Sequence, residues 1–411
     1  MAVIDATSVR RVNRGKVLGA LVTAGPLARS QIAERLGLHK ATVSRVVDDL
    51  LAERVVAEEL PRSRGGPGRQ CRPVRFVAQA GLVCGVDVGA STTRILVSDL
   101  SATPVAVWRV DTPRLRPEAL ARWLADNLHT CTSREGTELW ATAVGVPGVV
   151  RPGTHDIRDA QNLPNIEGHA FAQSLGDQLP GQLVIDNDAN YAMRGELHFG
   201  AARGCATAGM LTVGTGIGAG LVVGGDLVRG RTGFAGEVAF LPMGSDGATI
   251  EDFAGGRGIL EQARAAGAPV VSPAEVFKPD IQPALQTVRQ RALDALVITM
   301  AALAVTIEPE VIVIGGGVAP SLWLYFDELE KGLLRVVSTA PRLVRAELAD
   351  LSGTVGALSE ALGLAYARLG VQPQEPWTMP SAEPLIKSLR ESLFDAHAVP
   401  DWSSAQEMTA P

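Results

Sequence analysis

Three kinds of residue in this 411-residue chain have the type and spacing to do chemistry: carboxylates beside apolar strands, glycine-rich turns, and a basic N-terminal cluster. The stretch Leu183-Val184-Ile185-Asp186-Asn187-Asp188-Ala189-Asn190 sets Asn187 and Asp188 just past an apolar strand, at the start of a helix. Side chains at that position either cap the helix or, alternatively, one of them is a base poised to take a hydroxyl proton. Glu237, in Gly236-Glu237-Val238, and Glu251, in Ile250-Glu251-Asp252-Phe253, are further acceptors that either bind ligand hydroxyls or solvate a surface. Glycine clusters occur in order at Asp87-Val88-Gly89-Ala90-Ser91, Gly214-Thr215-Gly216-Ile217-Gly218 and Gly315-Gly316-Gly317. Successive N–H groups in such turns make a concave partial positive charge whose natural guest is phosphate, although tight turning alone also explains any single run. There is no G-x-x-x-x-G-K-[ST], and Gly214-x-Gly216-x-Gly218 leads into a strand instead of opening a helix, which disfavours a dinucleotide fingerprint.

The basic cluster belongs to the first 80 residues, which carry 14 Lys+Arg against 7 Asp+Glu, a net +7; the remainder carries 24 against 37, a net −13. That asymmetry points to a nucleic-acid module attached to an acidic body. Val43, Val46, Val47, Leu50 and Leu51 recur at helical spacing, which predicts a helix from about Lys40 to Glu53 with Thr42, Ser44, Arg45 and Asp48 on its other face. A shorter helix through Ile32, Ala33 and Leu36 ends at Gly37, so the pair reads as a helix-turn-helix. In that arrangement Thr42, Ser44 and Arg45 face base edges and Lys40 faces phosphates. Val55-Val56-Ala57 and Pro73 to Val77 flank a basic Gly/Pro-rich loop. They predict a wing whose Arg62, Arg64 and Arg69 reach phosphates or the minor groove. By itself the same loop reads as a flexible linker.

From Leu82 onward strands alternate with glycine turns and helices, an α/β pattern. Val83 to Val97 and Met210 to Val223 repeat one plan, strand, small-residue turn, strand, which predicts two β-hairpins in two related lobes. The least polar helical stretch, Ala295 to Ile307, falls short of the ~20 residues of a bilayer span and is expected to be a buried core helix, so no membrane partner is predicted. Arg10, Arg11, Arg14 and Lys16 follow a short leader without an apolar region, unlike a secretory signal. The cysteines at 71, 84, 131 and 205 are scattered, which favours reduced thiols and a cytoplasmic location. The length excludes a single small fold, and 46% hydrophobic with 20% charged residues excludes wholesale disorder. The expected division is 1–80, then 81–370 with lobes of about 81–200 and 201–370, then a polar Pro-rich tail, 371–411, with one short helix candidate near Leu385 to Phe394.

Taken together these segments resemble the ROK proteins (repressors, open reading frames and sugar kinases), specifically the regulators with an N-terminal winged helix-turn-helix. The resemblance spans roughly residues 10–370 and rests on residues 37–45, Gly85-Val86-Asp87-Val88-Gly89, Gly145-Val146-Pro147-Gly148 and Asn187 to Asn190. It rests further on Gly200 to Gly204, Thr212 to Gly218, Gly233-Phe234-Ala235-Gly236-Glu237 and Ile314 to Val318. It implies a winged helix-turn-helix domain followed by a two-lobed α/β actin/hexokinase-like domain with a sugar cleft between the lobes. In the kinase members the residue matching Asp188 is the general base. There, Asp87, Gly89, Ser91, Gly214, Thr215, Gly216, Gly315 and Gly316 match the turns that hold Mg-ATP, and Asn187, Glu237 and Glu251 fall at sugar-binding positions. Three departures matter. Phe240 stands where those kinases place a zinc- and sugar-binding His. Leu241 to Ile250 contains no cysteine, so no metal is expected. Ala90 puts a Cβ into the first phosphate turn, which weakens the nucleotide reading. The expectation is a transcriptional regulator that binds operator DNA as a homodimer or tetramer and answers to a sugar or sugar derivative, without enzymatic activity. The alternative is an ATP-dependent sugar kinase that carries a DNA-binding domain.

Overall fold

The computed structural model describes residues 6–59, 72–133, 137–244 and 247–371. Three helices open the chain: α1 (Ala6–Ala24), α2 (Arg29–Leu36) and α3 (Lys40–Ala52). Gly37 ends α2 in the left-handed region (φ 63°), where its missing Cβ costs nothing, and its N–H caps the carbonyls of Ala33 and Glu34. The apolar side of α3, Val43, Val46, Val47 and Leu50, is buried as its spacing predicts. Strands β1 (Val56–Glu58) and β2 (Val74–Phe76) pair antiparallel, Val56 opposite Phe76, which closes the base of the wing. Arg62, Arg64 and Arg69, like the tail helix candidate, lie outside the described residues.

The body holds two five-stranded sheets built to one plan. The first contains β3 (Leu82–Val88), β4 (Thr92–Asp99) and β5 (Pro104–Asp111), with helix α4 (Pro117–Ser133) leading to β6 (Leu139–Val146). A small hairpin follows, β7 (Val149–Arg151) and β8 (Asp156–Arg158), then α5 (Ala170–Gln178), β9 (Gln182–Asn187) and α6 (Asp188–Phe199). The second sheet contains β10 (Ala208–Val213), β11 (Ile217–Val223) and β12 (Asp226–Leu227). Helices α7 (Ile250–Ala254), α8 (Gly256–Ala265) and α9 (Pro283–Ile307) then lead to β13 (Val311–Gly315). Finally α10 (Ala319–Leu322) and α11 (Phe326–Leu334) precede β14 (Arg342–Arg345) and the last helix, α12 (Ser352–Arg368). Strand orders are β5-β4-β3-β6-β9 and β12-β11-β10-β13-β14, each an antiparallel hairpin joined to parallel strands. The echo between residues 83–97 and 210–223 is therefore a true structural repeat. Strands β3, β6 and β13 are apolar almost throughout because helices cover both of their faces.

Two features differ from the sequence expectation. The apolar run 295–307 is the second half of the 25-residue α9, which by length and composition alone could cross a bilayer; half of its apolar window is buried in the second lobe, while Ile298 and Val305 are exposed. And α12, which falls within the second lobe by sequence position, leaves it after β14 and packs along α6, β3 and β6 of the first. A single hydrophobic cluster consequently runs from Leu18, Ile32 and Val47 in the N-terminal head, through Tyr366 and Leu369 of the α12 region, to Val83 and Tyr191 in the first lobe.

Candidate functional site

The two β-hairpin turns face each other across a cavity of ≈ 290 Å³ between the lobes. Asp87, Gly89, Asn187, Asp188, Gly214, Thr215, Gly216, Glu237, Glu251 and Gly316 all reach its wall, so most of the residues singled out by sequence converge. Ser91 and Gly315 do not; Ala90 and Gly317 take their places.

The structure realises the capping reading at Asn187 and puts Asp188 on the cavity wall. Asn187 is the N-cap of α6, its Oδ1 accepting from the N–H groups of Ala189 (2.8 Å) and Asn190 (3.1 Å), while its Nδ2 donates to the Gly148 carbonyl (3.0 Å). Thus pinned, it directs the next residue, Asp188, into the cavity. Burial pushes the Asp188 carboxyl up to about 7, and the negative charges of Asp87 and Glu237 add to the effect. Burial also raises Glu237 to about 7, helped by Asp159 and Glu251. Glu251 is raised by burial and opposed by the bond it accepts from the Ile217 N–H (2.9 Å). Near neutral pH Asp188 and Glu237 are a mixture of donors and acceptors, suited to hydroxyl groups that are themselves both.

The phosphate turns are less hospitable. Gly316, at φ 92°, turns its backbone against Val213, which leaves the Gly214 and Gly317 backbones open to the cavity. Asp87, however, is opposed across the β3–β4 hairpin by Arg94, whose guanidinium lies 3.8 Å from it and 3.0 Å from Asp350. Burial raises Asp87 to about 6 against the pull of Arg94. Arg94, which donates to Asp350 and not to Asp87, sets a fixed positive charge beside Asp87 where a metal ion would have to bind, so these residues do not fit Mg-ATP well. No group of three or more potential metal ligands occurs among the described residues.

Sequence reasoning missed Arg94, Asp350, Asp159 and Asn162. Arg94 was legible in principle, because the hairpin register puts it directly opposite Asp87. Asn162, whose Nδ2 points at Gly216 beside Glu251, sits in an irregular loop that no periodicity marks.

In the head, Lys40 and Arg45 are exposed and Thr42 and Ser44 half-exposed on the face of α3 away from its core. Arg45 has no ion-pair partner among the described residues. Arg29 braces the helix from behind, bridging Asp48 (2.7 Å) and Glu58 (2.9 Å).

Comparison with known proteins finds two family matches. Residues 83–363 match the ROK family, and residues 14–65 match the MarR family. The chain belongs to the ROK family. It is 28% identical over 251 residues to a xylose repressor of Bacillus spizizenii, covering 60% of this chain but 64% of that one, so the match spans a little under two thirds of that relative's length. It is also 28% identical to an N-acetyl-D-glucosamine kinase of Pectobacterium carotovorum, over 66% of this chain and 96% of the kinase. A ROK hexokinase from Thermus thermophilus superposes with a TM-score of 0.60 at 30% identity, over 70% and 99% of the two chains. A ROK transcriptional regulator, a homologue of the Escherichia coli MLC protein, shares the fold over 88% of this chain and 98% of its own, with a TM-score of 0.72 at 17% identity. The ROK relatives thus include both regulators and kinases.

The raised carboxyls of this ROK cleft make a pH-dependent prediction. Their folded-state values lie above the ordinary carboxylate range, so the stability they contribute is complete below about pH 4 and is lost as pH rises through about 7. Asp188→Asn removes one such group. Because water reaches part of that side chain, the gain is discounted, and it should be about 1–3 kcal/mol larger at pH 8 than at pH 5. Calorimetric melting at both pH values checks it; an equal shift at each would refute the assignment.

Proposed function

We propose that this chain is a DNA-binding transcriptional regulator whose effector, a neutral sugar, lodges in the interlobe cleft, and that α12 carries the signal from cleft to head. In this reading residues 1–80 bind operator DNA and 81–370 sense the sugar in the cytoplasm. The carrying observation is the course of α12. Ser352 and Gly353, at its start, line the cavity beside Asp87, and its other end is docked on the head. Arg14 of α1 donates to the Leu369 carbonyl (3.1 Å) and pairs with Glu53 just beyond α3. Tyr366 stacks on Phe76 of the wing strand at 6.2 Å, and its hydroxyl donates to the Leu100 carbonyl. A change of lobe closure that tilts α12 therefore moves α1, α3 and the wing together. A groove of ≈ 660 Å³ between head and body, lined by Arg10, Arg14, Asp49 and Glu53, leaves room for that motion. Reading two half-sites one helical turn apart calls for paired heads, so the active species is a homodimer or a dimer of dimers. The xylose repressors support a sugar as the effector; a coupling of about 1–3 kcal/mol suffices to switch DNA binding.

The test is electrophoretic mobility shift of operator duplex over a panel of neutral sugars; DNA affinity unchanged by every sugar that binds would overturn the reading. Arg45→Ala is expected to relax base discrimination by ~1–3 kcal/mol at one position of each half-site. An unaltered footprint at unaltered affinity would remove Arg45 from the reading set.

One observation favours a second reading, an ATP-dependent sugar kinase with a DNA-binding head: Asp188 is retained in the cleft with a carboxyl poised near neutral pH, as a base for a sugar hydroxyl requires. Against it stands the Arg94–Asp87 pair. ADP release over the same panel, abolished by Asp188→Asn, would favour the kinase.

A further inference from the structure

Beside the carboxylates the cleft carries an aromatic pair that neither its fold nor its charges account for. Phe234 is 48% and Phe240 38% exposed, and the two rings lie 5.4 Å apart, tilted by 34°. Neither belongs to a hydrophobic core cluster, although their neighbours Leu241 and Met243 pack against the second-lobe core. They are held by a short hydrogen-bonded loop: the Ala235 N–H donates to the Arg229 carbonyl (3.3 Å), that of Glu237 to Phe234 (3.4 Å) and that of Phe240 to Glu237 (3.3 Å). Arg229 is anchored in turn to Asp186 on the first lobe at 2.7 Å. The loop backbone that carries the rings is thereby fixed, and an exposed apolar pair rimmed by polar groups marks a contact surface.

Geometry says what the contact is. Phe240 lines the cavity together with Glu237 and Glu251, whereas Phe234 lies outside its wall. The cavity itself is at the small end for a ligand site, where roughly 300–1,000 Å³ is usual, so anything larger than one sugar ring must reach beyond it, and Phe240 on the wall with Phe234 just outside offers one such way out. Sugar rings are amphipathic: their edges carry hydroxyls and their faces carry C–H groups. The polar cavity suits the edges of one ring, and the aromatic pair suits the face of the next. Asp159, Asp188, Glu237 and Glu251 disfavour an anionic guest.

We propose that Phe234 and Phe240 form a stacking platform for a second ring, so that the preferred effector is a neutral glycoside with a sugar or aryl group on the ring held by the carboxylates. This rests on the reading of the cleft as a sugar site. Calorimetric titration of the full chain with D-xylose, D-glucose, their phenyl β-glycosides and their β-1,4-linked disaccharides tests it. At least one two-ring ligand is expected to bind ten-fold or more tightly than its parent sugar. Phe234→Ala should erase that gain while changing free-sugar affinity less than two-fold, Phe240→Ala should lower two-ring affinity by more than it lowers free-sugar affinity, and Phe240→Trp should keep the gain. Disaccharide gain without phenyl gain identifies a sugar as the second ring; the converse identifies an aryl group. Two-ring ligands binding no better than free sugars, or alanine variants weakening both alike, would overturn the platform while leaving the sugar cleft intact. Absence of binding by every compound would defeat the cleft reading itself.

Discussion

Glu196→Ala is expected to cost about 3–5 kcal/mol of stability, far more than a typical single substitution, and to lower the melting temperature by about 10 °C. Glu196 sits near the end of α6 and is wholly inaccessible to solvent. Its carboxylate accepts from the N–H groups of Ala201 (2.8 Å), Glu347 (3.1 Å) and Leu348 (3.0 Å) and from the Ser352 hydroxyl (2.7 Å). Three of those donors belong to the two places where the chain crosses between lobes, residues 200–207 going out and 346–351 coming back, and the fourth, Ser352, opens α12. One buried anion therefore ties both strands of the hinge to α6 and to the first turn of α12. Alanine leaves the donors without an acceptor in a space too crowded to relax freely, and each such loss costs about 1–3 kcal/mol. Glu196→Gln keeps the shape and one acceptor oxygen but turns an NH₂ toward donors, so its loss should be roughly half as large. Calorimetric melting orders the three proteins; an alanine variant within about 1 kcal/mol of the parent would show that the hinge is held by something else.

The sequence made the repeating parts of this fold legible and hid the parts that join them. The helix at Lys40, the Gly37 stop and the hairpins around Gly89 and Gly214 are local, set by periodicity and turn chemistry, and each lies where its residues predict. The cleft was legible for a related reason: its residues cluster at strand ends, and two copies of one hairpin plan bring the turns face to face. Glu196 left no such mark. Read along the chain it is one acidic residue in an amphipathic helix, and its partners are about 5 and 150 residues away. The same holds for α12, whose apolar composition shows that it is buried but not in which lobe. Resemblance to kinases directed attention to Asp188, while the Arg94–Asp350 contact on the cavity wall joins residues 256 apart.

The docking of α12 on the head supplies the sharpest functional test. At Gly15 and Gly370 the two backbones touch, and a Cβ added at Gly15 would overlap the Gly370 carbonyl oxygen. Gly15→Ala should otherwise favour the head, because alanine stabilises a helix interior by about 0.5–1 kcal/mol relative to glycine. The head of this variant is thus expected to fold and to bind operator duplex, while its seat on α12 is displaced. If α12 carries the signal, the effector's influence on DNA affinity, about 5- to 150-fold for a coupling of typical size, should fall toward unity while sugar affinity in the cleft is retained. Fluorescence anisotropy of labelled operator with and without saturating sugar reads the first quantity, and calorimetric titration the second. Loss of both would indicate general damage, and retention of the full response would place the route elsewhere. Response lost with both ligands still bound is the outcome that only a mechanical link through α12 explains, since Gly15 touches neither the DNA-facing side of α3 nor the cavity.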